Sequence, residues 1–238
     1  MKSVLITGGS RGIGKAMVEL FSKSGYKVAF TYKSSDAAAS ELERYTGALA
    51  IKADSESEEA ILSAVSLANE KNGEVDVLIN NAAVSTVSLI TDVSLEEWNR
   101  VMNTSVTGAF LFSKYVLPQM IRKKWGRIIN VSSMWGIVGA SCEVHYSTAK
   151  AALIGFTKAL AKEVGPSGIT VNAIAPGVVK TDMNSAFSDE DIMALCEETP
   201  VGRIADPYEI ARAALFLASD ESGFITGDVM NISGGFIT

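Results

Sequence analysis

The sequence contains one histidine and two cysteines among its 238 residues. Cys142 and Cys196 lie far apart in the sequence, and neither is part of a cluster with the spacing of zinc ligands. We therefore expect no bound metal, and we expect the two cysteines to be free thiols rather than a disulfide.

Long apolar runs are also missing, because no stretch reaches the roughly 18 apolar residues of a membrane span. After Met1 and Lys2 the apolar segment is too short for a signal peptide, which predicts a cytoplasmic protein. Acidic residues outnumber basic ones by 27 to 21, a net charge of −6. This balance argues against general binding to nucleic acid or to anionic membranes.

One local basic cluster, "RKKWGR" from Arg122 to Arg127, departs from this acidic balance. The favoured interpretation is that these cations end a long helix, where they complement the helix dipole and stay solvated. Docking of an acidic partner is the alternative interpretation.

Short β-rich segments alternate with helical patterns along the chain, without a linker or internal repeat, which predicts one domain over residues 1–238. Near-continuous apolar strands such as "VLIT" and "DVLIN" favour a doubly wound α/β fold of the Rossmann type with a seven-stranded parallel sheet. The predicted strands are Ser3–Thr7, Lys27–Tyr32, Ala48–Lys52, Val75–Asn80, Arg127–Val131, Thr170–Ile174 and Val229–Ile232. The predicted helices are Gly12–Ser24, Ser35–Tyr45, Ser57–Lys71, a bipartite Leu95–Lys124, Tyr146–Val164 and Pro207–Ser219.

The first strand leads into "TGGSRGIG", Thr7 to Gly14, and then directly into a helix. A glycine-rich turn at this junction lets backbone N–H groups approach a pyrophosphate at the positive end of the helix. The spacing differs from the common G-x-G-x-x-G, so the strand and helix context carries the prediction of a dinucleotide site.

The second strand ends in "FTYKSS", where an acidic residue for the adenosine ribose is usual. Lys33, together with Arg11 of the glycine turn, suits a ribose 2′-phosphate instead. Asp36 follows Ser34 and Ser35 and fits the first turn of a helix better. We therefore expect NADP rather than NAD.

The stretch "VHYSTAK" places Tyr146 and Lys150 four residues apart, about 40 degrees around a helix and on one face. An ammonium close to the phenol would lower its pKa, so Tyr146 is a candidate general acid or base. His145 points away from this face and is expected to be a surface residue or a hydrogen-bonded polar residue.

Several motifs in order resemble the short-chain dehydrogenase/reductase family over essentially the whole chain. They are the glycine turn, "NNA" at Asn80 to Ala82, Ser133 in "INVSS", the Tyr146 and Lys150 pair, and Pro176, Gly177 and Thr181. The resemblance implies an NADP-dependent oxidoreductase that interconverts C=O and CH–OH groups.

The resemblance also implies a role for each matching residue. Tyr146 would exchange a proton with the substrate oxygen, Ser133 would hydrogen-bond that oxygen, and Lys150 would hold the nicotinamide ribose and lower the pKa of the phenol. Asp54 would meet the adenine, Asn81 the ribose side, and Val179 and Thr181 the nicotinamide end. The full set expected around the cofactor is Gly8, Ser10, Arg11, Gly12, Ile13, Gly14, Tyr32, Lys33, Asp54, Ser55, Asn81, Tyr146, Lys150, Val179 and Thr181.

Two positions depart from the family pattern. Ala83 stands where the family usually has glycine, and a positive φ there would cost about 1 to 2 kcal/mol. Ser105 stands at the family's catalytic asparagine, while Asn103 lies on a different helix face. A serine would hold the proton-relay water near Lys150 less firmly than asparagine.

Within the family the chain is most similar to bacterial 3-oxoacyl-(acyl-carrier-protein) reductases of fatty acid synthesis, in "GRIINVSS", "GITVNAIAPG" and "TDM". That similarity implies a homotetramer or homodimer and carrier-protein docking through Arg122, Lys123, Lys124 and Arg127. Ser167, however, replaces the second basic docking position. Residues Lys180 to Pro200 are the expected substrate lid. Another ketone or alcohol substrate (a steroid, a sugar or a small ketone), or a non-catalytic NADP-binding protein, are the alternatives.

Overall fold

The structure, a computed structural model, describes residues 1–182 and 188–237 and contains a seven-stranded parallel sheet. The strand order is β3-β2-β1-β4-β5-β6-β7. The strands are β1 Ser3–Ile6, β2 Lys27–Tyr32, β3 Leu49–Lys52, β4 Val77–Asn80, β5 Gly126–Val131, β6 Ile169–Pro176 and β7 Val229–Ile232. The predicted doubly wound α/β fold and its parallel sheet are thereby confirmed.

Helices connect the strands on both faces of the sheet. They are α1 Gly12–Lys23, α2 Asp36–Thr46, α3 Glu58–Asn72, α4 Leu95–Met102, α5 Gly108–Lys123, α6 Trp135–Val138, α7 Val144–Val164, α8 Asp189–Glu198 and α9 Pro207–Ala218. Two further short segments are a π-helical turn, Asn103–Thr107, and a 3₁₀ turn, Gly165–Ser167. No helix in the described part of the chain is long and apolar enough to cross a membrane.

The element boundaries lie within two residues of those predicted, apart from two helices that were not predicted. The first of these is the four-residue α6, which is too short to show a periodic pattern. The second is α8, which lies inside the predicted lid. Residues 183–187 of that lid are outside the described residues.

The apolar strands are explained by burial on both faces of the sheet. Every residue of β1, β4, β5 and β6 is buried. Along β1, Val4 and Ile6 join the core that also contains α1 and α9, whereas Leu5 joins the core under α3 and α5. Alternation along a strand therefore divides one continuous apolar run between two cores.

A buried chain of polar side chains fixes α7 against the centre of the sheet. The Asn80 amide donates to Asn130 Oδ1 at 2.8 Å, and the Asn130 amide donates to Thr157 Oγ1 at 2.8 Å. These bonds join β4, β5 and α7, and they pair polar groups that would be costly to bury alone. They hold α7 against the carboxyl end of β5, where Asn130 lies.

The chain reverses its direction of travel across the sheet between β1 and β4. After β1 it adds β2 and β3 on one side, then returns to form β4 on the other side of β1. A crevice opens at the carboxyl ends of the strands where the order reverses in this way, and such crevices bind ligands. The carboxyl ends of β1, β4 and β5 are therefore the place to look for the site.

Candidate active site

The glycine turn between β1 and α1 forms a cradle that side chains would fill. Gly8 and Gly12 adopt φ values of +65° and +53°, where glycine is favoured. A Cβ on Gly14 would lie 2.2 Å from the Gly8 carbonyl oxygen. Arg11 precedes α1 without a side-chain cap, and the first turn of α1 has no acidic residue. The backbone N–H groups of this first turn are thus available to a pyrophosphate. The glycine turn and the start of α1 therefore fit a dinucleotide.

The segment after β4 is tied directly to this turn. The Asn81 side chain donates to Thr7 O at 3.0 Å and to Gly8 O at 3.1 Å, and the Ala82 N–H donates to Thr7 Oγ1 at 2.9 Å. Among the described residues, Lys124 and Cys142 are the non-glycine residues with positive φ. Ala83 therefore lacks the positive φ that would have carried a strain cost, so that departure from the family pattern is harmless to the backbone.

Lys33, directly after β2, is held by two carboxylates. Its Nζ lies 2.8 Å from Asp54 Oδ2 and 2.7 Å from Glu56 Oε1. Hydrogen bonds to these carboxylates raise the pKa of Lys33, so it is cationic at neutral pH. Asp36 begins α2, as predicted, and pairs with Lys52 at 2.9 Å.

Ser133, Tyr146 and Lys150 meet at the carboxyl end of β5. Ser133 follows the strand and hydrogen-bonds to the phenol of Tyr146, on the first turn of α7. Lys150 Nζ lies 5.5 Å from the Tyr146 ring centroid and donates to Val131 O at 2.7 Å. The predicted shared face of Tyr146 and Lys150 is therefore present, and Ser133 joins it.

Burial controls the charges of this group. Desolvation raises the pKa of Tyr146 to about 12, even though part of the side chain is exposed. The hydrogen bond to Ser133 lowers this pKa, and the charge of Glu143 raises it further. Burial likewise lowers the pKa of Lys150 to about 7. The expectation that Lys150 would lower the pKa of the phenol towards neutrality is wrong for this structure, because desolvation is the largest influence on the phenol and raises its pKa. The phenol therefore keeps its proton over the whole neutral range.

Comparison with known proteins identifies the family. The family model described as "Enoyl-(Acyl carrier protein) reductase" matches residues 8–237. The chain belongs to the short-chain dehydrogenase/reductase family. As a member of it, the protein is an oxidoreductase that acts on C=O or CH–OH groups with a nicotinamide cofactor.

Curated relatives of this dehydrogenase/reductase match it over nearly their full length. A 3-oxoacyl-(acyl-carrier-protein) reductase of Vibrio cholerae is 43% identical over 239 residues, 98% of this chain and 96% of the relative. The Escherichia coli (strain K12) enzyme of the same name is 40% identical with the same coverage. An acetoacetyl-CoA reductase of Shinella zoogloeoides is 42% identical over 232 residues, 97% of this chain and 96% of the relative.

Other expected cofactor contacts are distributed around the same crevice of the dehydrogenase/reductase. Thr181 Cγ2 lies 3.3 Å from the position of a Cβ on Gly12, so the segment after β6 reaches the glycine turn. Val179 is buried and forms a bridge with Ala205. The remaining predicted residues also lie on segments at this edge of the sheet: Ser10, Ile13, Tyr32 and Ser55.

Ser105 lies in the π-helical turn between α4 and α5. It is 2% exposed, and its Oγ has no hydrogen-bond partner among the described residues. Asn103 is exposed, as its different helix face predicted. π-Helical turns often mark functional positions in helices, and the family's asparagine position falls on this one. The turn was not predictable from the sequence pattern.

His145 is a buried, hydrogen-bonded polar residue, the second of the two environments expected for it, and not a surface residue. It is 0% exposed, with Nε2 2.8 Å from Thr86 Oγ1, while Nδ1 has no partner among the described residues. The position is buried because the segment after β4 covers this side of α7. The sequence gives no signal for that, since the covering loop has no regular pattern.

The basic cluster lies at the opposite edge of the sheet from Tyr146. Arg122 pairs with Glu74, Lys123 pairs with Glu74 and Asp76, and the guanidinium of Arg127 is buried. These residues precede or begin the six-residue β5, whereas Ser133 follows it, a separation of about 20 Å. The cluster ends helix α5, which supports the favoured interpretation.

No group of three or more His, Cys, Asp or Glu side chains within residues 1–182 and 188–237 is placed to hold a metal ion. Cys142 and Cys196 are both free thiols, as predicted.

Burial of Lys150 predicts a pH dependence of stability. The unfolded chain binds the lysine proton up to a pKa near 10.5, whereas the folded chain releases it near 7. Stability therefore rises with pH across this window, by up to about 1.4 kcal/mol per pH unit. We expect the difference in unfolding free energy between the unmutated chain and Lys150→Met to grow from pH 7 to 9.5, as measured by urea unfolding.

Lys158→Met is the control, because Lys158 is exposed on the same helix. Lys158→Met should leave the slope of unfolding free energy against pH as it is in the unmutated chain. If Lys150→Met and the unmutated chain have equal slopes, Lys150 stays charged when it is buried.

Proposed function

We propose that the protein is an NADPH-dependent 3-oxoacyl-(acyl-carrier-protein) reductase of fatty acid synthesis, acting in the cytoplasm. One observation carries the proposed reaction: the partly exposed phenol of Tyr146, with a pKa of about 12, meets Ser133 and Lys150 at the carboxyl end of β5. Such a phenol is a proton donor, which suits reduction of a carbonyl. The thioester substrate is inferred from the similarity to a 3-oxoacyl-(acyl-carrier-protein) reductase and an acetoacetyl-CoA reductase.

Each catalytic side chain has a distinct proposed task. Tyr146 donates its proton to the carbonyl oxygen, and the Ser133 hydroxyl stabilises the charge that develops there. Lys150 stands near enough to stabilise the tyrosinate that is left, and it binds the ribose of the cofactor. The nicotinamide cofactor supplies the hydride when it is bound.

The preference for NADPH rests on the cationic Lys33 beside the adenosine end of the crevice. Both carboxylates that hold it are partly exposed, so a 2′-phosphate has to share Lys33 with Asp54 and Glu56. Arg11, exposed at the start of α1, offers the phosphate a second cation.

Carrier-protein docking at the basic cluster would have to compete with ion pairs within the chain. Three of its four cations are already paired within the chain, and Ser167 carries no charge. The cluster also lies about 20 Å from Ser133 within one chain. The family resemblance implies a homotetramer or homodimer. Such an assembly would contain the basic cluster of one copy together with the active site of another. The lid over Lys180 to Pro200 is likewise a proposal.

A panel of carbonyl substrates tests the proposed function. Initial rates of NADPH oxidation are compared for acetoacetyl thioesters of carrier protein and of coenzyme A, a steroid ketone and a sugar ketone. The proposal expects the highest kcat/KM for the carrier-protein thioester. A higher value for a non-thioester ketone would favour another substrate, and tight NADPH binding without any turnover would indicate a non-catalytic NADP-binding protein.

Reversal of charge at Lys33 tests the cofactor preference. In Lys33→Asp, repulsion replaces the phosphate pair, and kcat/KM for NADPH should fall by at least about tenfold while that for NADH changes little. Lys27→Asp is the control, since Lys27 is exposed at the far end of the same strand. Equal efficiency with both cofactors in the unmutated enzyme would overturn the assignment.

The unpartnered hydroxyl of Ser105 predicts a tolerant position. If this serine holds a relay water only loosely, Ser105→Ala should lower kcat by less than about tenfold, and Ser105→Asn should raise kcat or leave it unchanged. Steady-state kinetics, with circular dichroism to check the fold, measure both. A much larger loss in Ser105→Ala would mean that the serine has taken over the asparagine's task.

A further inference from the structure

The loop between β4 and α4, residues 81–94, joins the cofactor turn to the helix that carries Tyr146. Its first residues bond to Thr7 and Gly8, as described above. Further along, the Ser88 N–H donates to Cys142 O at 2.8 Å, and Ser85 Oγ donates to Glu143 Oε2 at 2.9 Å. The loop thus spans the space between the cofactor turn and the start of α7.

His145 extends this contact into a partly buried chain of three side chains. Its Nε2 lies 2.8 Å from Thr86 Oγ1, and the Thr86 hydroxyl donates to Glu97 Oε1. A hydroxyl has a single proton, and that proton is committed to Glu97. His145 must therefore donate from Nε2 to Thr86, so the chain has one direction: His145 to Thr86 to Glu97.

The chain joins three separate elements. His145 is on the first turn of α7, Thr86 is in the loop, and Glu97 is on the first turn of α4. Glu97 is itself fixed, because its backbone N–H donates to the N-cap residue Ser94 at 3.1 Å. The loop is therefore clamped between α4 and α7. Its contact on α7 is His145, the residue that precedes Tyr146.

The cost of burying His145 argues against a simple packing role. Its ring is fully buried, yet Nδ1 has no partner among the described residues. A buried polar atom without a hydrogen bond is unfavourable, and an apolar side chain at this position would avoid that cost. What the histidine adds is the donor at Nε2.

We propose that His145 is a positioning residue, whose Nε2–H donor clamps the β4–α4 loop as the wall of the site beside Tyr146. It acts through Thr86 and Glu97 and exchanges no proton with the substrate. Loss of the donor should loosen the loop and weaken binding of the carbonyl substrate, while the glycine turn and cofactor binding are unaffected.

The test compares two substitutions of similar size. His145→Gln keeps an amide donor close to the position of Nε2, whereas His145→Leu fills the volume without a donor. We expect amide hydrogen exchange over residues 83–93 to be about tenfold faster in His145→Leu and nearly unchanged in His145→Gln. The dissociation constant for NADPH should be the same in both variants.

Kinetics provide a second readout, which rests on the proposed function. The KM for acetoacetyl thioester should rise about three- to tenfold in His145→Leu, with a smaller change in kcat, and recover in His145→Gln. If no thioester is turned over, the proposed function fails, while exchange and NADPH binding still decide the clamp. Equal exchange of the loop in the two variants, or a loss of kcat without any change in exchange, would overturn the proposal.

A second pair of variants guards against a His145→Leu chain that does not fold. Thr86→Ser keeps the hydroxyl in the middle of the chain, and Thr86→Val removes it. Faster loop exchange in Thr86→Val than in Thr86→Ser supports the clamp, and equal exchange in these two variants contradicts it.

Discussion

The buried amino group of Lys150 is the constraint on which the rest of the site depends. Its Nζ is enclosed by protein and donates to the carbonyl of Val131, at the end of β5. That bond ties α7 to the strand that delivers Ser133, while Asn130 and Thr157 make a second tie lower on the same helix. Tyr146, one turn before Lys150, is placed against Ser133 as a result.

The same enclosure sets the protonation states. Burial raises the pKa of Tyr146 to about 12 and lowers that of Lys150 to about 7, so both shifts disfavour charge. The pair is therefore less charged than the sequence alone suggests, and the phenol holds its proton. An acid that is protonated throughout the neutral range fits a reductase, in which the side chain must give a proton to a carbonyl.

Much of the fold and of the site could be predicted because it depends on local patterns. The apolar strands, the glycine turn, and the spacing of Tyr146 and Lys150 are visible in the sequence. The environments of His145 and Lys33 were not, since Thr86, Glu97 and Glu56 approach them from other segments. The predicted direction of the pKa shift of Tyr146 was wrong for the same reason. Desolvation is a property of the packed structure, whereas the spacing in the sequence shows only the neighbouring charge.

Turnover by Tyr146→Phe, compared with Tyr26→Phe, tests the central claim most directly. Tyr26 lies at the opposite edge of the sheet, where its hydroxyl contacts Ala218 O. The account predicts that Tyr146→Phe loses at least about a hundredfold in kcat with NADPH binding unchanged, because only the transferred proton is removed. Tyr26→Phe should keep its activity. Near-normal turnover by Tyr146→Phe, with its fold intact, would contradict the assignment of the phenol as the proton donor.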